Sequence, residues 1–140
     1  MKKFMTILLA AVMVFALCAC GAKNETAEIP NIEGEYQDEV SQRAMLTMTK
    51  TEGNAYDFVI SWSSSATETT TWEGSGEFDG EKLEYTDGVC ETTTYDDNGV
   101  ASESVGGDPV SGTFTLTDEG KLEWVGVNDG ETGTFIKLEK

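Results

Sequence analysis

The chain has 140 residues, enough for one domain with a modest core. Its formal charge is −17 and it has no histidine. That repels nucleic acid and removes Ser-His-Asp, Cys-His and His-ligated zinc chemistry. Cys18 lies in an apolar leader, Cys20 directly follows it, and Cys90 stands alone in the rest of the chain. No disulfide can staple the domain, which must hold by packing.

Lys2 and Lys3 precede an apolar run from Phe4 to Leu17, broken only by Thr6. The run is short of the roughly 20 apolar residues that a spanning helix needs, and it reads as a secretory leader. Leu17-Cys18-Ala19-Cys20 closes it as a lipobox, with a small residue directly before the cysteine to be lipidated. Cys18 follows the bulky Leu17 and is the poorer acceptor. The expected organisation is therefore a lipoprotein signal peptide at 1–19, a lipidated Cys20 with a flexible tether at 20–31, and a β domain at 32–140. Acylation of the palmitate type at Cys20 would hold the protein at the extracytoplasmic face of the cell membrane. Gly21 to Pro30 is polar and aperiodic. A flexible chain of ~10 residues reaches on the order of 18 Å.

From Ile32 onward the hydrophobic period is two, which predicts strands. Ala44, Leu46 and Met48 share a face, as do Tyr56, Phe58, Ile60 and Trp62. Trp72, Gly74, Gly76 and Phe78 follow, then Leu83 and Tyr85, Phe114 and Leu116, Leu122 and Trp124, and Phe135. Threonine is frequent between them and suits a half-exposed pleated surface. Turns are expected at Gly53-Asn54, Ser63 to Ala66, Asp79-Gly80, Asp87-Gly88, Asn98-Gly99, Gly106 to Pro109, Glu119-Gly120 and Asp129-Gly130. Short turns between strands imply an antiparallel meander, of about eight to ten strands here. A closed barrel manages the edges of such a sheet, with a two-sheet sandwich as the alternative. Residues 89–105 are polar on both faces and read as a long exposed hairpin at one barrel end. Gly74 and Gly76 would let their strand curl.

The inward aromatics admit two readings. Tyr56, Tyr85 and Trp124, with Trp62 and Trp72 at the mouth, could form a ligand cup. The same rings could simply fill a small core. Asp96-Asp97-Asn98-Gly99 lacks the register and distal glutamate of a calcium loop, so no metal or other cofactor is expected. Glu68, Glu73, Glu77, Glu81 and Glu84 show no spacing that selects a catalytic pair. Cys90 is flanked by acids, which disfavour a thiolate nucleophile. The domain is read as non-enzymatic.

Gly34-Glu35-Tyr36 is similar to the Gly-x-Trp that opens the first strand of calycins, the superfamily of lipocalins and avidins. That resemblance implies a basic residue packed over the Tyr36 ring, either Lys137 on the last strand or Arg43. A broader likeness runs through Ser41 to Ala44, Ile60 to Ala66, Trp72 with Gly76, Leu83 to Tyr85 and Leu122 to Trp124. It resembles small lipoproteins of Gram-positive gut bacteria and implies the same compartment and a β-rich domain, with no activity attached. Ser111-Gly112 with Phe114 and Trp124 resembles the Ser-Gly-x-x-Tyr segment of lipoprotein inhibitors of c-type lysozyme. Here the aromatic stands one position early, and the following Lys-Gly is missing. Together these readings give a lipid-anchored, calycin-like β-barrel that binds a small ligand in its mouth or a protein partner. The alternatives are an acidic inhibitor or decoy of a cationic host protein such as lysozyme, and a glycan-acting enzyme.

Overall fold

The computed structural model describes residues 27–127 and 130–139. Cys20, the expected signal peptide and the first half of the expected tether lie outside the described residues. Nine strands form one antiparallel sheet: β1 (Gly34–Asp38), β2 (Ala44–Lys50), β3 (Ala55–Ser65), β4 (Glu68–Phe78), β5 (Lys82–Tyr95), β6 (Ala101–Gly106), β7 (Val110–Leu116), β8 (Leu122–Gly126) and β9 (Thr132–Lys137). Pairing runs β4-β3-β2-β1-β9-β8-β7-β5, and β4 also pairs with β5. The sheet therefore closes into an eight-stranded barrel, with β6 outside it. The sandwich alternative does not form.

The period-two pattern sets the two faces. Leu46, Met48, Phe58, Ile60, Phe78, Leu83, Phe114, Leu122 and Phe135 point inward and are buried, while Glu35, Asp57, Glu73, Glu77 and Glu123 alternate with them on the outside. An apolar interior and a charged exterior invert the arrangement of a lipid-embedded barrel. The strands are strongly staggered. Lys82 leads across the ladder through Thr115 and Glu123 to Thr134. Glu91, far along the same β5, leads the other way through Thr71, Ser61, Met45 and Gln37 to Ile136. Thr134 and Ile136 are near neighbours on β9, so one circuit climbs most of the length of β5, as tilted strands require.

Two glycines permit close packing on β4. A Cβ on Gly74 would fall 2.8 Å from the Phe58 ring, and one on Gly76 would fall 2.5 Å from the Glu84 carbonyl oxygen. The β4–β5 register shifts at this point. Asp87-Gly88 is not the turn that its sequence predicts. It lies inside β5, where the β5–β7 register shifts between Tyr85 and Gly88. Gly88 lacks a positive φ, in contrast to Gly53, Gly80, Gly99, Gly120 and Gly130 of the other predicted turns. The missing side chain serves contact instead, since a Cβ there would sit 3.0 Å from the Tyr85 ring.

The barrel has two distinct ends. At the lower end residues 27–33 lead into β1, the turns after β2, β4 and β7 are made, and β9 finishes. Ile32 is buried there. Tyr36 Oη donates to its carbonyl oxygen at 2.8 Å and Tyr56 Oη accepts from its N–H at 3.4 Å. The upper end carries the turns after β1, β3 and β8. From it the far halves of β3, β4 and β5, with β6, project as a four-stranded flap.

Candidate binding site at the upper rim

The inward rings pack the interior. Phe58 lies 4.6 Å from Tyr85 and 4.9 Å from Phe114, centroid to centroid, and Trp72 meets Trp124 edge-on at 5.3 Å. Trp124 Nε1 donates to Tyr85 Oη at 2.9 Å, which satisfies a buried indole N–H. Tyr56, Trp72, Tyr85 and Trp124 are all buried members of this core. Of the five proposed ligand-binding aromatics, only Trp62 is partly exposed. Trp72, expected beside it at the mouth, pairs with Ile60 and Cys90 a row deeper.

Trp62 lines a cavity of about 420 Å³ at the upper rim, with Asp38, Val40 and Ser41 on one side and Trp124, Val125 and Gly133 among the residues on the other. Its origin is local. Asp38 is buried at the end of β1, and its Oδ2 accepts from Ser41 N at 2.5 Å and Ser41 Oγ at 2.6 Å. This Asx-type turn draws the chain away from β9. Gln42 completes it at a φ of 57°, its carbonyl oxygen accepting from Gln37 Nε2 at 3.1 Å. β1 pairs with β9 over Tyr36–Asp38, with one further backbone bond beyond each end, Leu138 N to Glu35 O and Glu39 N to Thr134 O. Ahead of Thr134, no described strand lies against that edge of β9, and the wall is notched. Val40, 87% exposed, and Val125, 51% exposed, give the notch an apolar rim. Neither valine stands out in the sequence. Val125 occupies an outward strand position where a polar residue is usual, which was the available signal.

Lys137 lies over Tyr36, with Nζ 5.6 Å from the ring centroid. Gly34 makes room for it, since a Cβ there would sit 2.8 Å from Lys137 Cε. Arg43 instead sits in the β1–β2 turn, its carbonyl oxygen accepting from Ser63 N at 3.3 Å. A second hollow, of about 620 Å³, lies on the outer wall between Lys121 and Leu138. Glu39 and Glu119 bind its Lys121 ammonium at 2.8 and 2.9 Å, holding that ammonium well above the usual lysine range and the Glu119 carboxyl below its own.

Glu68, Glu73, Glu77, Glu81 and Glu84 are all exposed. Asp79 Oδ1 accepts from the Lys82 and Glu81 N–H groups, which lowers its carboxyl pKa. Asp96 Oδ1 likewise accepts from Asn98 N and Val100 N, each at 2.9 Å. Among the described residues, no group of three metal-ligating side chains converges. Ser111 to Phe114 is barrel wall, with Gly112 and Phe114 facing inward. No family model, curated protein or solved structure matches the chain.

Proposed function

We propose that the protein is a lipid-anchored, non-catalytic binding module of the cell surface, a calycin-like barrel that takes a small, partly apolar ligand at its upper rim. One observation carries the reading. A partly exposed tryptophan and two exposed valines border a notch at the barrel end opposite the N-terminal segment. Apolar surface left open at a barrel mouth is the usual signature of a binding site. A tether through Cys20 would turn this end away from the membrane.

The test is titration of the purified domain with apolar and ring-shaped fluorescent ligands, following tryptophan emission. A ligand of this site changes the emission of Trp62, and Trp62→Ala weakens it by about tenfold, or ~1.4 kcal/mol. Unchanged emission across all ligand classes would end the reading. The anchor is tested separately. An alkyne fatty acid fed to cells should label the wild type and not Cys20→Ala.

Charge favours a second reading, an acidic partner for a cationic protein. The flap carries Glu68, Glu91, Asp96, Asp97, Glu103 and Asp108, with no lysine or arginine in residues 61–71 or 89–108. Binding of this kind weakens steeply with added salt.

A further inference from the structure

The flap ends in an open strand. β6 pairs with β5 on one side, and no described strand pairs with its other side. All six of its residues are exposed.

The ladder defines which groups face outward. Gly107 N donates to Cys90 O at 2.9 Å. In an antiparallel pair, bonded and non-bonded positions alternate. Thr92–Val105 and Thr94–Glu103 are therefore bonded pairs, and Glu91–Gly106 and Thr93–Ser104 are not. The short Thr93–Ser104 hydroxyl contact, 3.1 Å, fits a non-bonded pair, whose side chains lie closer. Ser104 and Gly106 thus turn their N–H and C=O groups to the open edge.

Proteins usually protect such an edge with lysine, proline or a bulge. β6, Ala-Ser-Glu-Ser-Val-Gly, contains neither lysine nor proline, and its register shifts once, between the Tyr95–Ala101 and Thr94–Glu103 pairs, leaving Glu103 to Gly106 straight. The side chains at Ser102, Ser104 and Gly106 are too small to block an incoming backbone. Beyond that shift, what protects the stretch from Glu103 to Gly106 is charge. Glu103 and the other flap acids repel an acidic strand, and a second copy of a chain with charge −17 is acidic.

We propose that the open edge of β6 binds an extended segment of a cationic protein by strand addition, with Ser104 and Gly106 supplying the main-chain hydrogen bonds and the flap acids selecting its charge. Main-chain bonding gives affinity in this mode, and alternate side chains give selectivity. Basic side chains on alternate positions would lie over Glu103 on one flap face. The proposal rests on the cationic-partner reading and is independent of the rim cavity.

The probe is a blocked peptide of alternating lysine and valine, with a copy N-methylated at alternate residues as control. Binding is measured by titration, and by amide hydrogen exchange in the whole domain. The peptide should slow exchange at Ser104 and Gly106 by about tenfold or more. Ser104→Ala, which keeps the N–H, should bind like the wild type. Ser104→Pro removes an N–H that β5 does not use, and edge strands tolerate proline there. It should weaken binding by at least about tenfold, as should N-methylation of the peptide. The methylated peptide keeps the test valid if the proline variant misfolds. Salt-sensitive binding that ignores both changes would overturn the edge and leave the cationic-partner reading standing. No binding at all would overturn both. Protection that rises with protein concentration alone would assign the edge to a second copy and overturn the proposal.

Discussion

The barrel and the flap are built from the same strands and hold together by different means. Below Trp72, β4 places Phe78 inside, and β3 places Tyr56 and Phe58 there, all against the opposite wall. Above it the same strands carry Thr70, Thr69 and Ser63, none of which belongs to the buried core. The flap is a ladder of backbone bonds with hydroxyl pairs between strands, Thr70 with Thr92 and Thr93 with Ser104, both at 3.1 Å. Such cross-strand pairs contribute roughly 0.2–1 kcal/mol each, while a fully buried aromatic contributes about 1.5–3 kcal/mol. Strand geometry continues past the point where the core stops, and stability does not.

This contrast can be broken most strongly from the barrel side. Phe58→Ala empties the space between Tyr85, Phe114 and Gly74. It should cost about 3–5 kcal/mol in urea unfolding. A loss below about 1 kcal/mol would refute interior packing as the main stabiliser. Next, Tyr85→Phe leaves the Trp124 indole N–H without its acceptor. The expected cost is about 1–3 kcal/mol, and double substitution with Trp124→Phe should recover part of it.

A third effect appears only in alkali. Burial, and then the neighbouring Tyr56, pushes the Tyr36 hydroxyl from 10.0 up to about 12. The unfolded chain ionises first. The contribution from keeping this phenol neutral is whole below pH 10 and is lost as pH rises towards 12. Tyr36→Phe should flatten the stability profile over that interval, at the cost of the bond to Ile32. An unchanged slope would mean that another group governs alkaline unfolding.

The smallest effect belongs to the flap. Thr93→Ala should change global stability by no more than about 0.5 kcal/mol, while Thr92, Thr93 and Thr94 amides exchange faster than those of Phe58 and Ile60. Equal protection in both regions would erase the distinction.

Much of the barrel was legible because burial on one face writes itself as alternation. Leu46, Phe58 and Trp124 all stood at inward positions in the sequence. Turn chemistry was legible at Gly53, Gly80, Gly99 and Gly120, where glycine adopts a positive φ between strands. Asp87-Gly88 misled because aspartate and glycine also suit a bulge, where glycine is needed for contact with Tyr85. The rim was only half visible. Trp62 lies at the rim and Trp72 is buried a row deeper, because strand stagger decides which row reaches the end and depends on pairings distant in sequence. Val40, Val125 and the Asp38 turn that opens the notch were missed for the same reason. The hairpin at 89–105 was expected to be exposed. Its free edge was not foreseeable, since it depends on where β8 stops.

The first strand of the barrel is also the one that the N-terminal segment leads into, and it lies between β2 and β9. A pull on that segment, with the flap gripped from above, would run along the β1 axis. Its bonds on both flanks would then be sheared together, not peeled apart one by one. Before β1 moved, Ile32 N–H would have to leave the Tyr56 hydroxyl on β3, while its bond to Tyr36 would travel with β1. Strand wiring, and not only core packing, therefore sets how the barrel resists a load applied at this end.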